Sequence, residues 1–579
     1  MAEIKYIVNK FSIVDSLPLF SKLSFFQKNF IVSKSEVIEL KKGEVVYKEG
    51  SPPDYFYCIV SGRIEMYHAG AKAQNRPKQQ IERLRRGDYF GSISSLTGQP
   101  HSVSTKTLND SLVLKINTKD FNVILQKIPR LAVSLSRSLS RRFSQKRFKE
   151  IFVSSIISVY GPDGSFYSAT LADSIRKESG KKVVVVASTG ISKKKDVAPK
   201  LSALTEDHHY VIINISGEVN NLNLEIMKQS DACHILSLPD HKSLRKTSML
   251  IKSLKNLFGD LAEDPISVIL KEEDHYEKTA YGEKSRILSK EVFATLPQDL
   301  VKYKKTLRRI ARGISGIMTG IALGSGAAMA IAHIGVIKVL EKEKIPIDII
   351  SASSMGAIIG SLWALGLNAD ELEKVANIFK SRFRTLLLAD LTLPIKGLIK
   401  GHAVRRFLKT YLGEKTFQDL KLPLKVVACD IKTRKEVIID KGKLVDAVMA
   451  SISIPGIFEP VEFNDAWLID GGIVNPVPVN VLSKMGIKRI IAVNTLPSPE
   501  DAAFIGRKRK SFTIYDVIVN SFQELEYALA VNACRQADIY LKPIPKNVSW
   551  FEFYKARIFI NTGSEHARRM LPEIKKLVK

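Results

Sequence analysis

The stretch "IDIISASSMGAIIGSLWALG", residues 347–366, places three serines within four positions between two apolar runs. Residues 347–350 are short and β-branched, which predicts a buried strand, and residues 357–365 repeat apolar side chains at helical spacing. A strand therefore turns directly into a helix. Such a corner can lift one side chain clear of the sheet, where the N–H groups and positive dipole end of the helix face it. We therefore expect a nucleophile for acyl transfer, with a core turn of small residues as the alternative.

The composition predicts a chain of several domains with an excess of positive charge. At 579 residues, with domains of ~100–200 residues each, two to four domains are expected. The formal net charge of +29 favours a polyanionic partner. Basic residues cluster at 136–150, 301–313 and 507–512, and the first two clusters interleave apolar residues at helical spacing. We predict an anionic membrane surface as partner, and no nucleic acid, with a solvated lysine-rich surface as the alternative.

Cysteine usage and the N-terminal sequence favour a cytoplasmic protein peripheral to the membrane. The four cysteines form no CxxC pair, so neither a zinc site nor a disulfide framework is expected. The first twenty residues lack the basic and apolar regions of a secretory signal. Residues 313–337 are uncharged and long enough to span a bilayer, but glycines interrupt them, which favours buried strand-loop-helix units.

The chain divides by pattern into three parts, residues 1–150, 151–300 and 301–579. The first alternates apolar and polar residues between glycine turns, which predicts an all-β domain. The second alternates strand-like and helix-like runs, which predicts an α/β domain. Its first turn, within residues 159–175, lies where an ATPase places its phosphate loop, but the lysine and the G-K-[ST] ending are absent. A structural or docking role is therefore expected there.

The first part resembles the cyclic-nucleotide-binding domain family, a small β-roll closed by helices. The phosphate-binding cassette of that family corresponds to "FGSISSLTGQPHSVS", residues 90–104, and includes Gly91 and Ser102. The glutamate that the family uses for the ribose is Ser92 here, and the arginine that it uses for the cyclic phosphate is His101. Charge-assisted pairs are the strong ones, so cyclic nucleotide binding is expected to be weak or absent.

The third part resembles the patatin-like phospholipases. Three motifs carry this resemblance in order: "GIALGSGAAMAIAHIGVIKVLEK", the corner at 347–366 and "DAWLIDGGIVNPVPVN". Together with the first part, they narrow the likeness to bacterial relatives of neuropathy target esterase. The resemblance implies a C-terminal α/β hydrolase domain that cleaves acyl esters of phospholipids or lysophospholipids without a metal or a cofactor.

The resemblance also assigns residues. In the family's G-x-S-x-G motif the nucleophile is Ser354, with Ala352 in place of the first glycine. The base is Asp470 of the D-G-G motif, which would accept the serine proton. The glycine-rich loop would supply oxyanion donors from Ser325, Gly326 and Ala327. The loop arginine of the family has no counterpart in this sequence.

Two alternatives remain open at this point. One is a triad in the order Ser, Asp, His, for which His566 is the histidine that follows Asp470. The other is a catalytically weak protein that docks at membranes or signals, since the loop departs from the family pattern. His333, close to the loop, is interpreted as a packing histidine.

Overall fold

The protein is described by a computed structural model. The structure describes residues 10–11, 13–15, 17, 19–20, 23–68, 79–85, 87–133, 135, 155–191, 197–258, 265–272, 281–380, 400–501, 514–545, 548 and 552–579. The chain forms two compact units, Met1–Ala311 and Arg312–Lys579. The basic clusters at 136–150 and 507–512 lie outside the described residues. The domain boundaries at 150 and 300 stay predictions.

The first unit begins with a β-roll of two antiparallel sheets. Its strands are β1 (Ser35–Leu40), β2 (Val45–Tyr47), β3 (Tyr55–Ser61), β4 (Arg63–His68), β5 (Gln79–Arg85), β6 (Tyr89–Phe90), β7 (Ser104–Thr107) and β8 (Ser111–Asn117). The strand orders are β1-β8-β3-β6 and β2-β7-β4-β5. Its helices are α1 (Phe25–Ser33), α2 (Ser92–Thr97) and α3 (Thr118–Lys127). Both faces of β8 contribute buried side chains, since the consecutive residues Val113 and Leu114 are buried, so its burial departs from the predicted alternation.

A parallel sheet follows in the same unit. Its strands are β9 (Ser155–Tyr160), β10 (Val183–Ala187), β11 (Tyr210–Ile215), β12 (Ala232–Ser237), β13 (Ile266–Lys271) and β14 (Val292–Leu296), in the order β10-β11-β9-β12-β13-β14. The helices are α4 (Gly164–Ser179), α5 (Val197–Asp207), α6 (Asn221–Gln229), α7 (His241–Phe258), α8 (Tyr281–Leu288) and α9 (Leu300–Ile314). Helices cover a parallel sheet on both faces, which explains the continuous apolar runs in its strands. In the turn between β9 and α4, Asp163 precedes α4 and pairs with Lys271.

Helix α9 carries the basic cluster at 301–313, and its apolar side is already covered. Tyr303, Leu307 and Ile310 are buried, while the lysines between them are exposed. The amphipathic pattern of this segment therefore reflects packing within the protein. Leu300 and Val301, at the start of the helix, are exposed, so the expectation that this segment lies on a lipid surface stays a prediction.

The β-roll and the parallel-sheet domain are joined by a buried ion pair. Arg63, at the start of β4, donates from Nη1 and Nη2 to the two carboxylate oxygens of Asp231, at 2.6 and 3.0 Å. Asp231 also accepts the N–H of Ile156, at the start of the central strand β9. Nearby, the ammonium of Lys42 donates to the carbonyls of Lys228 and Ser230, at the C-terminal end of α6. Burial lowers the pKa of Lys42. These contacts fix the β-roll to the second sheet.

The second unit is built around one mixed sheet. Its strands are β15 (Thr319–Leu323), β16 (Ile349–Ser353), β17 (Leu424–Asp430), β18 (Lys435–Ile439), β19 (Val461–Phe463), β20 (Ala466–Asp470), β21 (Arg489–Val493) and β22 (Ile539–Leu541). The order is β19-β20-β17-β16-β15-β21-β22, with β18 paired to β17. Strands β17, β16, β15, β21 and β22 are mutually parallel, and β20 runs antiparallel to β17.

Helices pack on both faces of this sheet. They are α10 (Ala332–Lys342), α11 (Met355–Leu365), α12 (Ala369–Ala376), α13 (His402–Leu412), α14 (Leu444–Ser451), α15 (Val479–Lys484), α16 (Ile514–Cys534), α17 (Ala556–Arg569) and α18 (Leu571–Val578). The corner at 347–366 is a strand followed by a helix, as predicted, but β16 runs on to Ser353 and α11 begins at Met355. Ser351 to Ser353 pair with β17, so these small residues belong to the sheet.

The ion pair at Arg63 provides a test of the β-roll attachment. Arg63→Ala should lower the free energy of unfolding of the first unit by ~3–5 kcal/mol, because it leaves the Asp231 carboxylate without its buried partner. Urea unfolding of the full chain measures this effect. Lys177→Ala, which removes an exposed ion pair with Asp173, is the control and should change little. A control and a variant with the same midpoint would show that the attachment does not depend on Arg63.

Candidate active site

Ser354 occupies a strained corner between β16 and α11. Its backbone has φ 54° and ψ −127°, a conformation that costs energy for any residue with a side chain. Gly356 allows the corner, because a Cβ at that position would collide with the carbonyl oxygen of Leu323 on β15. The N–H of Ala357 donates a hydrogen bond to the Ser354 carbonyl, so α11 starts at the nucleophile candidate. This geometry is that of a nucleophile elbow.

Asp470 lies in direct contact with Ser354. The serine Oγ donates a hydrogen bond to Asp470 Oδ2 at 2.6 Å, and the N–H of Gly472 donates to Oδ1 at 2.7 Å. The sheet register explains this proximity, because Asp470 on β20 lies opposite Ala428 on β17. At Gly471 a Cβ would collide with the carbonyl of the β17 residue Val427. Glycine at this position therefore lets the chain pass close to β17.

The Asp470 carboxyl is protected from water and its proton affinity is increased. The residue is 1% exposed. Burial raises its pKa to about 7, and the hydrogen bonds from Ser354 and Gly472 oppose that rise. A carboxylate that binds a proton near neutral pH suits a general base. The structure thus gives Asp470 both the position and the basicity that the base role requires.

A second carboxyl group, missed by the sequence analysis, lies beside the first. Glu526 is on α16, and a Cβ at Gly472 would collide with Glu526 Oε1 and lie 2.7 Å from Ser325 Oγ and 3.0 Å from Asp470 Oδ1. Burial, and after it the charge of Asp470, raise the pKa of Glu526 to about 8. Glu526 lies in a segment with an ordinary helical pattern and no recognisable motif, so sequence patterns alone could not indicate it.

The glycine-rich loop after β15 provides backbone donors, but not from all three predicted residues. The N–H of Ser325 donates to the Pro476 carbonyl at 2.8 Å, so its assignment as an oxyanion donor is corrected. Among the described residues, the N–H groups of Gly326 and Ala327 form no hydrogen bond. Gly326 has φ 146° and Ala327 has φ 46°, so the loop turns sharply there. Gly326 and Ala327 stay candidates for the oxyanion donors.

Two other contacts hold this loop in place. Thr495 Oγ1 donates to the Ser325 carbonyl at 2.6 Å. His333, fully buried on α10, lies 2.8 Å from the Gly324 carbonyl through Nε2. Burial lowers the pKa of His333 to about 4, so the ring is neutral at neutral pH. A neutral, buried ring with a hydrogen bond to the backbone is typical of a histidine that packs in a protein core, as interpreted for His333.

The Ser-Asp-His triad is not assembled. His566 on α17 accepts the N–H of Lys542 through Nε2 at 3.2 Å. Burial lowers the pKa of His566, and the nearby Arg569 lowers it further. The direct contact between Ser354 and Asp470 leaves no room for an imidazole between them. The alternative with His566 as base is therefore corrected by the geometry.

Residues of the cyclic-nucleotide cassette pack against neighbouring side chains of the β-roll. Ser92 and His101 are buried, Ser102 is exposed, and Gly91 has φ 77°. The ring of His101 stacks on Tyr47 with 3.6 Å between centroids. Burial raises the pKa of the Tyr47 phenol. Burial lowers the pKa of His101, so the cassette offers a phosphate no fixed cation at this position.

Metal-ligand clusters and membrane-spanning helices are both absent from the described residues. The described ranges contain no group of three or more His, Cys, Asp or Glu side chains that could hold a metal ion. None of the helices in the described part of the chain is both long and apolar enough to cross a membrane.

Two family profiles match the chain. "Patatin-like phospholipase" matches residues 321–483, which include Ser354, Asp470 and the glycine-rich loop. "Cyclic nucleotide-binding domain" matches residues 37–128, which include the cassette. The chain therefore combines a cyclic nucleotide-binding domain with a C-terminal patatin-like phospholipase domain, and the predicted fold class is confirmed.

Three curated proteins are similar to parts of this chain. The chain is 34% identical over 194 residues to lysophospholipase NTE1 of Candida albicans, covering 33% of this chain and 14% of that protein. It is 22% identical to neuropathy target esterase sws of Drosophila melanogaster, covering 79% of this chain and 36% of that protein. An NTE family protein of Mycobacterium tuberculosis is 24% identical, with 81% and 77% covered. The chain thus spans well under half the length of the first two relatives.

The cassette generates a prediction about ligand binding. The protein should show no tight binding of cyclic AMP, because the cation and the ribose acceptor are missing and the ring of Tyr47 stacks on His101. Ser92→Glu with His101→Arg should restore little on its own. Adding Tyr47→Leu should strengthen binding at least about tenfold relative to the double variant, since it removes the stacked ring and frees the residue at position 101 to pair with the phosphate. Isothermal titration calorimetry measures all three proteins. Sub-micromolar binding by the unmodified chain would contradict this prediction.

Proposed function

We propose that this protein is a serine hydrolase that cleaves acyl esters of phospholipids or lysophospholipids, with Ser354 as nucleophile and Asp470 as base. The observation that carries the proposal is the 2.6 Å hydrogen bond from Ser354 Oγ to a buried carboxylate. Support also comes from the patatin-like phospholipase profile over residues 321–483 and from the relative that is named a lysophospholipase.

In the first half of the proposed reaction, Ser354 Oγ attacks the ester carbonyl carbon and its proton passes to Asp470. The carbonyl oxygen becomes an oxyanion, for which the free N–H groups of Gly326 and Ala327 are the candidate donors. Asp470 then gives the proton to the leaving alkoxide, the ester bond breaks and an acyl-serine remains. Burial of Asp470 favours this transfer, because a desolvated carboxylate has a higher proton affinity.

The second half repeats the same steps with water. Asp470 accepts a proton as water attacks the acyl-serine, and the proton returns to Ser354 Oγ as the fatty acid leaves. In both halves Asp470 first accepts a proton and then gives it to the leaving oxygen. The sequence departures in the loop affect its side chains, whereas the donors in this scheme are backbone groups.

A catalytically weak protein that docks at membranes or signals is the second candidate. It is favoured by the loop, where the apolar Met329 stands at the position of the family's basic residue and is buried. A fluorophosphonate probe separates the two candidates, because it labels an activated serine and leaves a packed one unmodified. An anionic membrane surface as partner stays a prediction.

The nucleophile can be tested with a matched serine control. Ser354→Ala should abolish lysophospholipid hydrolysis and fluorophosphonate labelling. Ser353→Ala should keep both, because the Ser353 hydroxyl is buried without a hydrogen-bond partner among the described residues. Fatty acid release is the measurement, and circular dichroism checks the fold. Full activity in Ser354→Ala would contradict the assignment.

The base can be tested through pH. The active form requires Asp470 as a carboxylate, and burial raises its pKa to about 7, so kcat/KM should rise as the pH increases through about 7 and fall below it. Asp470→Asn should lower kcat by ~10²–10⁴-fold at every pH, since an amide cannot accept the serine proton. His566→Ala should be close to neutral. Greater damage from the histidine change than from the aspartate change would refute the dyad.

A further inference from the structure

The C-terminal end of α14 contacts both members of the proposed dyad. The N–H of Ser354 donates to Ser451 Oγ at 2.9 Å, and Ser451 Oγ donates in turn to the Val427 carbonyl at 2.6 Å. Two residues later, the Ser453 carbonyl accepts the N–H of Asp470 at 2.9 Å. Ser451 and Ser453 are both fully buried. The segment 451–453 is therefore bonded to the backbone N–H of the nucleophile and to that of the base.

The Ser451 contact matters because of the conformation of Ser354. With φ 54° the serine is in a region that L-residues rarely adopt, and such strain persists only where the surroundings determine it. A buried N–H without a partner is costly, so the bond to Ser451 stabilises the strained form directly. Ser451 is itself anchored through Val427 on β17, the strand between β16 and β20.

We propose that Ser451 is a positioning residue for the acyl-transfer reaction, which fixes the Ser354 backbone relative to Asp470 through the segment 451–453. This inference rests on the proposed function. Ser451 does not touch the reacting atoms, since both of its hydrogen-bonding capacities are used by backbone groups. Its effect passes through the angle and distance at which Ser354 Oγ meets Asp470 Oδ2. A displacement of about 1 Å at such a contact can cost roughly a hundredfold in rate.

The sequence offers a matched control two residues away. Ser453 is also a fully buried serine, but its hydroxyl donates to the Met449 carbonyl inside α14. Its contact with Asp470 is made by the backbone carbonyl, which a side-chain change retains. Ser453→Ala therefore removes a buried hydroxyl from the same helix end without removing a contact to the dyad.

The experiment compares Ser451→Ala, Ser451→Cys and Ser453→Ala with the unmodified full chain. We expect Ser451→Ala to lower kcat for lysophospholipid hydrolysis by about ten- to a hundredfold, with KM unchanged. Ser451→Cys, which keeps the volume and a weak acceptor, should lie between. Ser453→Ala should keep kcat within about twofold. The rate of fluorophosphonate labelling should follow the same order, and thermal unfolding reports stability separately.

Each outcome has one meaning. A kcat for Ser451→Ala within about twofold of the unmodified chain would overturn the positioning role, and so would equal losses in Ser451→Ala and Ser453→Ala. If Ser451→Ala does not fold, the graded loss in Ser451→Cys decides, and an undiminished kcat in that variant overturns the proposal. Activity that survives in Ser354→Ala overturns the proposed function instead, so the two failures are distinguishable.

Discussion

The hydrogen bond between Ser354 and Asp470 is the interaction on which the second unit depends. It requires a charged group in a dry interior, and an isolated buried carboxylate is costly unless hydrogen bonds compensate it. Asp470 receives two, from the Ser354 hydroxyl and the Gly472 N–H. The register of β16, β17 and β20 brings these groups together. Glycine at 471 allows the chain to pass close to the backbone of β17.

In the first unit, the β-roll and its attachment to the parallel sheet are the main features. The β-roll keeps the fold of a cyclic nucleotide-binding domain, yet Tyr47 and His101 pack against each other at its cassette. Meanwhile the bidentate pair of Arg63 and Asp231 attaches the roll to the parallel sheet. A buried ion pair adds little net stability but is costly to break, so it favours one arrangement over others. The geometry is that of a domain fixed to its neighbour.

Much of this architecture could be predicted from the sequence, because local patterns carry it. The corner at 347–366 and the D-G-G motif indicated Ser354 and Asp470 through their resemblance to patatin-like phospholipases, and the structure places the two side chains in contact. The Ser325 assignment was wrong because the partner of its N–H, Pro476, is distant in sequence. Ser451 and Glu526 were missed for the same reason, since tertiary contacts alone distinguish them from ordinary helix residues. The pattern of α9 did not decide the surroundings of its apolar side, because packing on protein and on lipid require the same periodicity.

The two carboxyl groups near Gly472 restrict how the site can be charged. Asp470 and Glu526 share a desolvated region, and like charges in such a region resist simultaneous ionisation. Burial dominates for Asp470, whereas the charge of Asp470 adds to burial for Glu526, so Asp470 ionises first. The pair therefore resists a second negative charge, and the first one lies on Asp470, the group that contacts Ser354. Because the two groups are coupled, the ionisations that a pH profile detects belong to the pair, with Asp470 as the member that reaches Ser354.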